Sequence, residues 1–472
     1  MKTTADDTEG MKIALQYYWS CLKRYPRSLW GIALSMPFTT LFSRYLPPLM
    51  IAHVLDKLIK HNYDASDLLG SFGGEMALFI AVLLVGIALW RLVDFFMWRL
   101  EQNIQQDIAE HVFRHLQSLS LNFHANNFGG SLVSQTNKLM GGYVRIQDST
   151  IYQAYPMLWG ILWAIIILAP QAPQYAIGLA IFSVIYLAVS WLLAKRIYVH
   201  LARFATAESK QTGMLADVIT NIGVVKSFAR SKYEMERFHT ATSTTRRYLK
   251  RFAIAHQWQM NTQGLMSRVI SSFAFIIAVI AVTRYNANIP IVFLMFNYTL
   301  TIVDQLFDFG NSTLRSYNRA LSDAREMAMK LTLKPEVQDP LHPEKPVFKQ
   351  GAINFENVTF RHDGADDAIF EGFTVNIKPG EKIGLVGHSG SGKTTFTRLL
   401  LRYSDIQGGA ITIDEQNIAH VTQDSLHEHI AYVPQEPLLF HRSIRENIGY
   451  GDLAAKDKAI IRAAKLAHAH DF

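Results

Sequence analysis

The residues most able to do chemistry lie at 383–395: Ile-Gly-Leu-Val-Gly-His-Ser-Gly-Ser-Gly-Lys-Thr-Thr. An apolar run leads into a glycine loop and then into FTRLLLRY, the strand, loop and helix order that a phosphate-binding P-loop requires. Gly387, Gly390 and Gly392, with His388, Ser389 and Ser391 between them, let the backbone turn tightly enough to aim successive N–H groups at phosphate. In such a loop Lys393 reaches the β- and γ-phosphates, and the Thr394 hydroxyl ligates Mg²⁺. The positive end of the following helix adds its own attraction for anions. A second segment, Ala410-Ile-Thr-Ile-Asp-Glu415, imitates the apolar strand whose terminal Asp-Glu supplies a Mg²⁺ contact and a general base. It comes too soon after the P-loop, and it follows Gly408-Gly409 as a short hairpin strand would. Asp414 and Glu415 therefore read as turn residues.

The chain that must position this site has 472 residues, room for two or more domains, and is 49% hydrophobic. That average conceals a split, because the apolar residues concentrate before about residue 310. Six apolar stretches, near 28–50, 76–98, 152–170, 175–194, 265–284 and 288–308, approach the ~20 helical residues that cross a hydrocarbon core. The first is the weakest, interrupted by Arg44, Pro47 and Pro48. The connections at 56–75, 170–174 and 285–289 are short, whereas 99–151 and 195–264 are long and charged. Ile104, Ile108, Val112, His115, Leu116 and Leu119 recur at helical spacing, so the membrane helices should continue into the cytoplasm as a bundle. Residues 11–30 read as an amphipathic elbow at the membrane interface, with Tyr17, Tyr18 and Trp19 at headgroup depth.

The net charge of +7 could suggest nucleic acid, but its distribution points to a membrane. Lys195, Arg196, Arg203, Lys210, Lys226, Arg230 and their basic neighbours to Arg251 crowd one inter-helix region, and the turn at 169–174 carries no charge. Basic loops mark the cytoplasmic side, so both termini should lie there, and no nucleic-acid partner is expected. Cys21 is the only cysteine, which excludes an intrachain disulfide and a thiolate metal cluster. The polar N-terminus lacks the order of a cleaved signal peptide. Pro335, Pro340, Pro343 and Pro346 mark a linker at 334–347.

Charges inside the apolar stretches are costly and invite a functional reading. Arg91 and Asp94, three apart, can pair on one helix face. Asp304 and Asp308 fall late in the sixth stretch, near the cytoplasmic side. Arg44 should sit toward the outer leaflet, far from Asp94 and Asp304 and without a partner. It either snorkels or meets a substrate headgroup.

Three stretches of the soluble part, GHSGSGKTT, GGAITIDEQNI and IAYVPQEPLLFHRSIRENIGYG, resemble in order and spacing the start of an ATP-binding cassette (ABC) nucleotide-binding domain. NFHANNFGGSLVSQ and ADVITNIGVVKSFARSKYEMERF resemble the two intracellular loops of six-helix ABC exporters such as the bacterial multidrug and lipid-A-type half-transporters. The resemblance covers roughly residues 10–472. It implies ATP and Mg²⁺ at a Walker A loop of Gly387, Gly390, Gly392, Lys393, Thr394 and Thr395. Gln435 in YVPQ matches the Q-loop glutamine, which touches Mg²⁺ or the attacking water, so Thr394 and Gln435 are the metal candidates. His362 falls where the family usually has an adenine-stacking tyrosine, and an exposed turn histidine is the alternative. The segments near 122–130 and 215–223 match the coupling helices.

The family's signature, Walker B strand, D-loop and switch histidine are expected further along, and none precedes the final AHAHDF. The expected nucleotide-binding domain is therefore truncated, with no catalytic residue in this chain and an unpaired apolar sheet edge. The fold class is an all-α polytopic membrane domain, six transmembrane helices with long cytoplasmic extensions, plus a partial α/β P-loop domain. Its parts are a tail and elbow at 1–27, the membrane domain at 28–333, the linker at 334–347 and half a nucleotide-binding domain at 348–472. The resemblance implies an inner-membrane exporter subunit that pairs with a second half-transporter, identical or not, and moves an amphipathic substrate. A truncated membrane protein that binds nucleotide weakly or not at all is the alternative.

Overall fold

The computed structural model describes residues 2–470 except 128, 286–287, 363–366, 389 and 435–437. The chain forms two compact units, Met1–Leu119 with Phe123–Lys334, and Ser120–Asn122 with Pro335–Phe472.

The first unit is helical throughout. Its helices are α1 (Lys2–Leu22), α2 (26–59), α3 (Leu68–Ser118), α5 (Gly129–Leu168), α6 (Pro173–Thr220), α8 (Ser231–Tyr285) and α9 (Ile289–Lys330). The short α4 (Leu121–Asn126) and α7 (Ile222–Ser227) join long neighbours. Hydrocarbon offers a backbone no hydrogen-bond partner, so an apolar run closes its own bonds as a helix. Prolines in the first turns of α2, α6 and α9 fall where a missing N–H costs nothing. The Asp67 side chain caps α3 by accepting from the Gly70 N–H. By length and composition α3, α5, α6, α8 and α9 could each cross a membrane. In α2, Arg44, Pro47 and Pro48 dilute the hydropathy, yet the helix runs unbroken from 26 to 59, about 50 Å at 1.5 Å per residue.

Only 11% of the apolar window of α8 and 17% of that of α3 is buried within the chain, against 56% for α9. The last helix is thus central to the packing, and the others turn apolar faces outward. Tyr45, Met157, Ala164, Tyr186, Tyr298 and Leu306 anchor one buried cluster. A second cluster, with Leu100, Ile104, Ile108 and Val112 of α3 at its heart, lies among the charged extensions and bears out their helical spacing.

Three π-turns interrupt these helices, at Leu41–Tyr45, Thr150–Ala154 and Phe309–Thr313. A wide turn breaks the regular ladder and leaves carbonyls open to other donors. The Tyr45 carbonyl accepts from Tyr298 Oη at 2.7 Å, and the Gly310 carbonyl accepts from Gln259 Nε2 at 2.9 Å. Close approach is bought with glycine: a Cβ at Gly160 would lie 2.6 Å from Gln305 Oε1 and 2.7 Å from Tyr45 Oη.

Helix α1 packs among the helical extensions. Tyr17 Oη meets His111 Nδ1 at 2.9 Å, and Tyr18 Oη donates to the Leu139 carbonyl at 2.6 Å. An amphipathic face satisfied by lipid is satisfied equally by neighbouring helices. The helix that carries Arg44 continues to Ile59, so Arg44 falls at its mid-length. Arg91 and Asp94 pair at 3.0 Å as expected, and Tyr152 Oη donates to the same carboxylate.

The second unit is built on one antiparallel sheet of order β2-β1-β3-β4, with β1 at Ile353–Phe360, β2 at Phe370–Ile377, β3 at Gly408–Ile413 and β4 at Gln416–Asn417. Ile353 lies opposite Ile377 on one side and Ile413 on the other. Helix α10 (Lys393–Leu400) packs on this sheet through Phe396 and Leu399, and the rings of Phe355 and Phe396 stack with centroids 4.4 Å apart. Buried Arg402 ties the linker to the unit, donating to the carbonyls of Gln338 and Val421, each at 3.0 Å.

Candidate nucleotide-binding site

The P-loop glycines hold the left-handed backbone that their sequence predicts. Gly390 and Gly392 have φ of 85° and 87°, values that a side chain would strain. At Gly392 an added Cβ would also meet Ile369 Cγ2 at 3.0 Å and the Phe370 ring at 3.2 Å. Gly392 caps α10, so the loop delivers its chain directly onto a helix N-terminus, where free N–H groups and the macrodipole favour anions. The helix is fixed from below by Phe396 in the sheet core.

Lys393 turns back on the loop. Its Nζ donates to the Gly387 and His388 carbonyls, each at 2.8 Å, and approaches Ser391 Oγ at 3.2 Å. The ammonium is thus held over the concave face by bonds that phosphate oxygens can replace. Thr394, in the first turn of α10, is exposed, whereas Thr395 is buried beneath it. The described loop residues thus set an ammonium and a helix N-terminus where an anion is favoured, with the Thr394 side chain exposed beside them. Ser389 and Gln435 lie outside the described residues. His362 is exposed, its ring edge-on to Phe360 at 5.0 Å.

The expected strand into the loop does not form. Residues 381–387 carry no strand assignment, and among the described residues no ladder reaches them. Ile383 is 47% exposed and Val386 is 95% exposed. The apolar segment before Gln435 behaves alike, with Val433 89% exposed. An extended run becomes a strand only when a neighbour takes its N–H and C=O groups. Among the described residues the expected parallel sheet is not formed, and the sheet is the antiparallel β2-β1-β3-β4.

Asp414 and Glu415 are the central residues of the β3–β4 hairpin, with φ of 48° and 66°. That is the two-residue turn geometry that strand twist favours. The Asp414 carboxylate accepts four backbone N–H bonds, from Lys349, Gln350 and Gly351 on Oδ2 and Ala352 on Oδ1. These bonds hold its pKa far below the usual carboxylate range. The group clamps the entry to β1, its Oδ2 fully engaged by three N–H groups. Sequence reasoning identified the turn but not this clamp, which joins residues more than sixty positions apart.

The coupling segments are helical. The first holds α4, and the second places its short helix at 222–227, just after the expected 215–223, which α6 occupies as far as Thr220.

A bundle of long membrane-length helices continuous with a P-loop cassette defines an ABC transporter half. Residues 34–306 match the ABC transporter transmembrane region and residues 370–472 the ABC transporter family. The chain belongs to the ABC transporter transmembrane family. It is 28% identical over 388 residues to "ATP-binding cassette sub-family B member 6" of Xenopus tropicalis, covering 80% of this chain and 44% of that protein. It is 29% identical over 384 residues to an "ATP-dependent lipid A-core flippase" of Desulfotalea psychrophila, covering 79% of this chain and 65% of that one. A solved bacterial Atm1-family ABC exporter with ATP bound superposes with a TM-score of 0.80 at 25% identity, over 95% of this chain and 78% of that one. The chain thus spans from about half to two thirds of the curated relatives it matches.

Proposed function

We propose that the chain is a subunit of an ATP-driven exporter, pairing with a second half-transporter, identical or not, to move an amphipathic drug-like or lipid-like substrate outward. The observation that carries this reading is the P-loop geometry, joined covalently to a polytopic bundle whose helices extend far beyond membrane thickness. Gly387 to Gly392 would cradle the phosphates, Lys393 would neutralise them, and Thr394 with Gln435 would hold Mg²⁺. Bound ATP·Mg²⁺ supplies the free energy that reorients the bundle. His362 would stack on adenine. The segments around α4 and α7 would carry the motion, and the relatives' names support export.

The basic region 195–251 places the long extensions and both termini in the cytoplasm in this reading. In a Cys21→Ser background, a cysteine at Gln171 should react with an impermeant thiol reagent applied outside intact cells, and one at Lys210 should not. Labelling of the Lys210 position reverses the orientation. For the nucleotide, 8-azido-ATP with Mg²⁺ should photolabel the purified chain, and Lys393→Ala should abolish the labelling. Equal labelling of both proteins favours the second reading, a membrane protein without a working nucleotide site. Within residues 1–472 Asp414–Glu415 is the one Asp-Glu pair after the P-loop, and Asp414 is held by backbone N–H groups, so polypeptide 1–472 by itself should show no vanadate-sensitive ATPase. Losing a single transition-state contact typically costs about 10²–10³ in rate. Turnover abolished by Lys393→Ala would point to Glu415 as the base.

A further inference from the structure

Helices α6, α8 and α9 meet around a small cavity of about 20 Å³, just beyond the apolar stretches that end near 194 and 308. One water molecule needs roughly 10–15 Å³, so the space takes a single particle of about that size. It opens where the π-turn of α9 sets Gly310, which has no side chain, against Gln259 of α8. The Gly310 carbonyl, released by the wide turn, already accepts from Gln259 Nε2 at 2.9 Å. That acceptor is taken by the protein itself.

The donors around the cavity are not. Arg315 lines it and has no carboxylate partner among the described residues, unlike Arg319 one turn on, which pairs with Asp323 at 4.0 Å. Asn318 lines it too, and its amide has no hydrogen bond among the described residues. His256 Nε2 is buried without a partner, its ring against that of Phe252 with centroids 6.0 Å apart. Tyr198 Oη reaches only the Met11 sulfur, a weak acceptor, at 3.7 Å. No acid lines the space: Arg315 is its one permanently charged residue, and His256 and Tyr198 are the other titratable ones. Burial first, and then the Arg315 charge, hold the His256 pKa below its ordinary value, so a neutral imidazole offers one N–H.

A buried orphan donor beside an unpaired guanidinium favours an acceptor that carries negative charge. Water would answer the hydrogen bonds but not the charge. Phosphate, sulfate and carboxylates are too large for a space of one particle. We propose that this cavity binds a monatomic anion, chloride in the cell, held by Arg315, Asn318 and the His256 Nε2–H. The anion would tie α8 to α9 beside the π-turn. The site belongs to the helical unit and stands apart from the exporter reading.

Chloride NMR line broadening tests it on the full chain in phosphatidylcholine nanodiscs, with gluconate keeping the ionic strength constant and empty nanodiscs subtracted. A saturable broadening should appear that bromide displaces and sulfate does not. Arg315→Gln should weaken the affinity about tenfold, the scale of one charge-assisted hydrogen bond. His256→Phe, which keeps a ring against Phe252, should weaken it about threefold. A bound anion favours the imidazolium, so affinity should rise as the pH falls from about 7 to 5, and His256→Phe should flatten that rise. Lys393→Ala should leave chloride binding unchanged, which separates this site from the nucleotide loop. Broadening that sulfate removes as readily as bromide, or that both cavity variants leave intact, would assign the chloride to the basic region 195–251 and overturn the proposal. No saturable broadening would leave the cavity to water and overturn it equally.

Discussion

Exposed apolar side chains occur in both units and mean opposite things. On α3 and α8 they cover long helices whose backbone bonds are already closed, so Leu84 and Ile276 need only an apolar solvent. In the second unit Val386 and Val433 are also exposed, but among the described residues their backbones belong to no helix or ladder. Lipid completes the first kind of surface, and only another strand completes the second. A helix is a local solution to the hydrogen-bond problem; a strand is a shared one.

That contrast can be sharpened by mutation. The largest effect is expected in the core of the second unit, where Phe396 stacks on Phe355 and joins the P-loop helix to the sheet. Phe396→Ala should destabilise this unit by about 3–5 kcal/mol, the usual cost of emptying an aromatic core site. A melt followed by a fluorophore in the second unit should shift, and one reporting on the helical bundle should not; a shift in both would mean that the units do not fold independently. A smaller effect is expected within the bundle. Gly160→Ala forces Tyr45 Oη and Gln305 Oε1 apart and should cost about 1–3 kcal/mol, typical of overpacking. Gly178→Ala, with open space around its Cβ, should be neutral or slightly stabilising. Equal melting temperatures for the two variants would remove the polar close approach as a packing determinant. The smallest effect concerns Asp414. Its folded pKa lies far below its unfolded value, so its contribution is full above about pH 4 and fades as the pH falls below that toward the folded value. Asp414→Asn should lower stability at neutral pH and flatten the acid dependence, measured by urea titration between about pH 7 and 2. An unchanged acid profile would mean that the clamp is not formed in solution.

The same local-versus-shared distinction explains what could be read from the sequence. Helix positions were legible because 20-residue apolar runs and the Ile104, Ile108, Val112 spacing are local patterns. So were the P-loop glycines and the Asp414–Glu415 turn, each set by a few adjacent residues. The failures were non-local. Ile-Gly-Leu-Val before the loop looks like a strand whether or not a partner exists. The amphipathic pattern of α1 suits lipid headgroups and helix neighbours equally, so the contact between Tyr17 and His111 cannot be read from it. Pro47 and Pro48 look like an interruption, yet α2 continues past them to Ile59. The π-turns left no sequence signal, since their open carbonyls are matched by Tyr298 and Gln259 from distant positions.

The central claim is that the P-loop is shaped to receive phosphate by its own helix and antiparallel sheet, although the segment leading into it is unpaired. Amide hydrogen exchange of the full chain with and without ATP·Mg²⁺ tests it directly. Slow exchange is predicted in β1, fast exchange at 383–386 in both conditions, and ATP-dependent slowing at 390–395 that Lys393→Ala removes. Slow exchange at 383–386 before nucleotide is added, or no slowing at 390–395 when it is, would contradict the account.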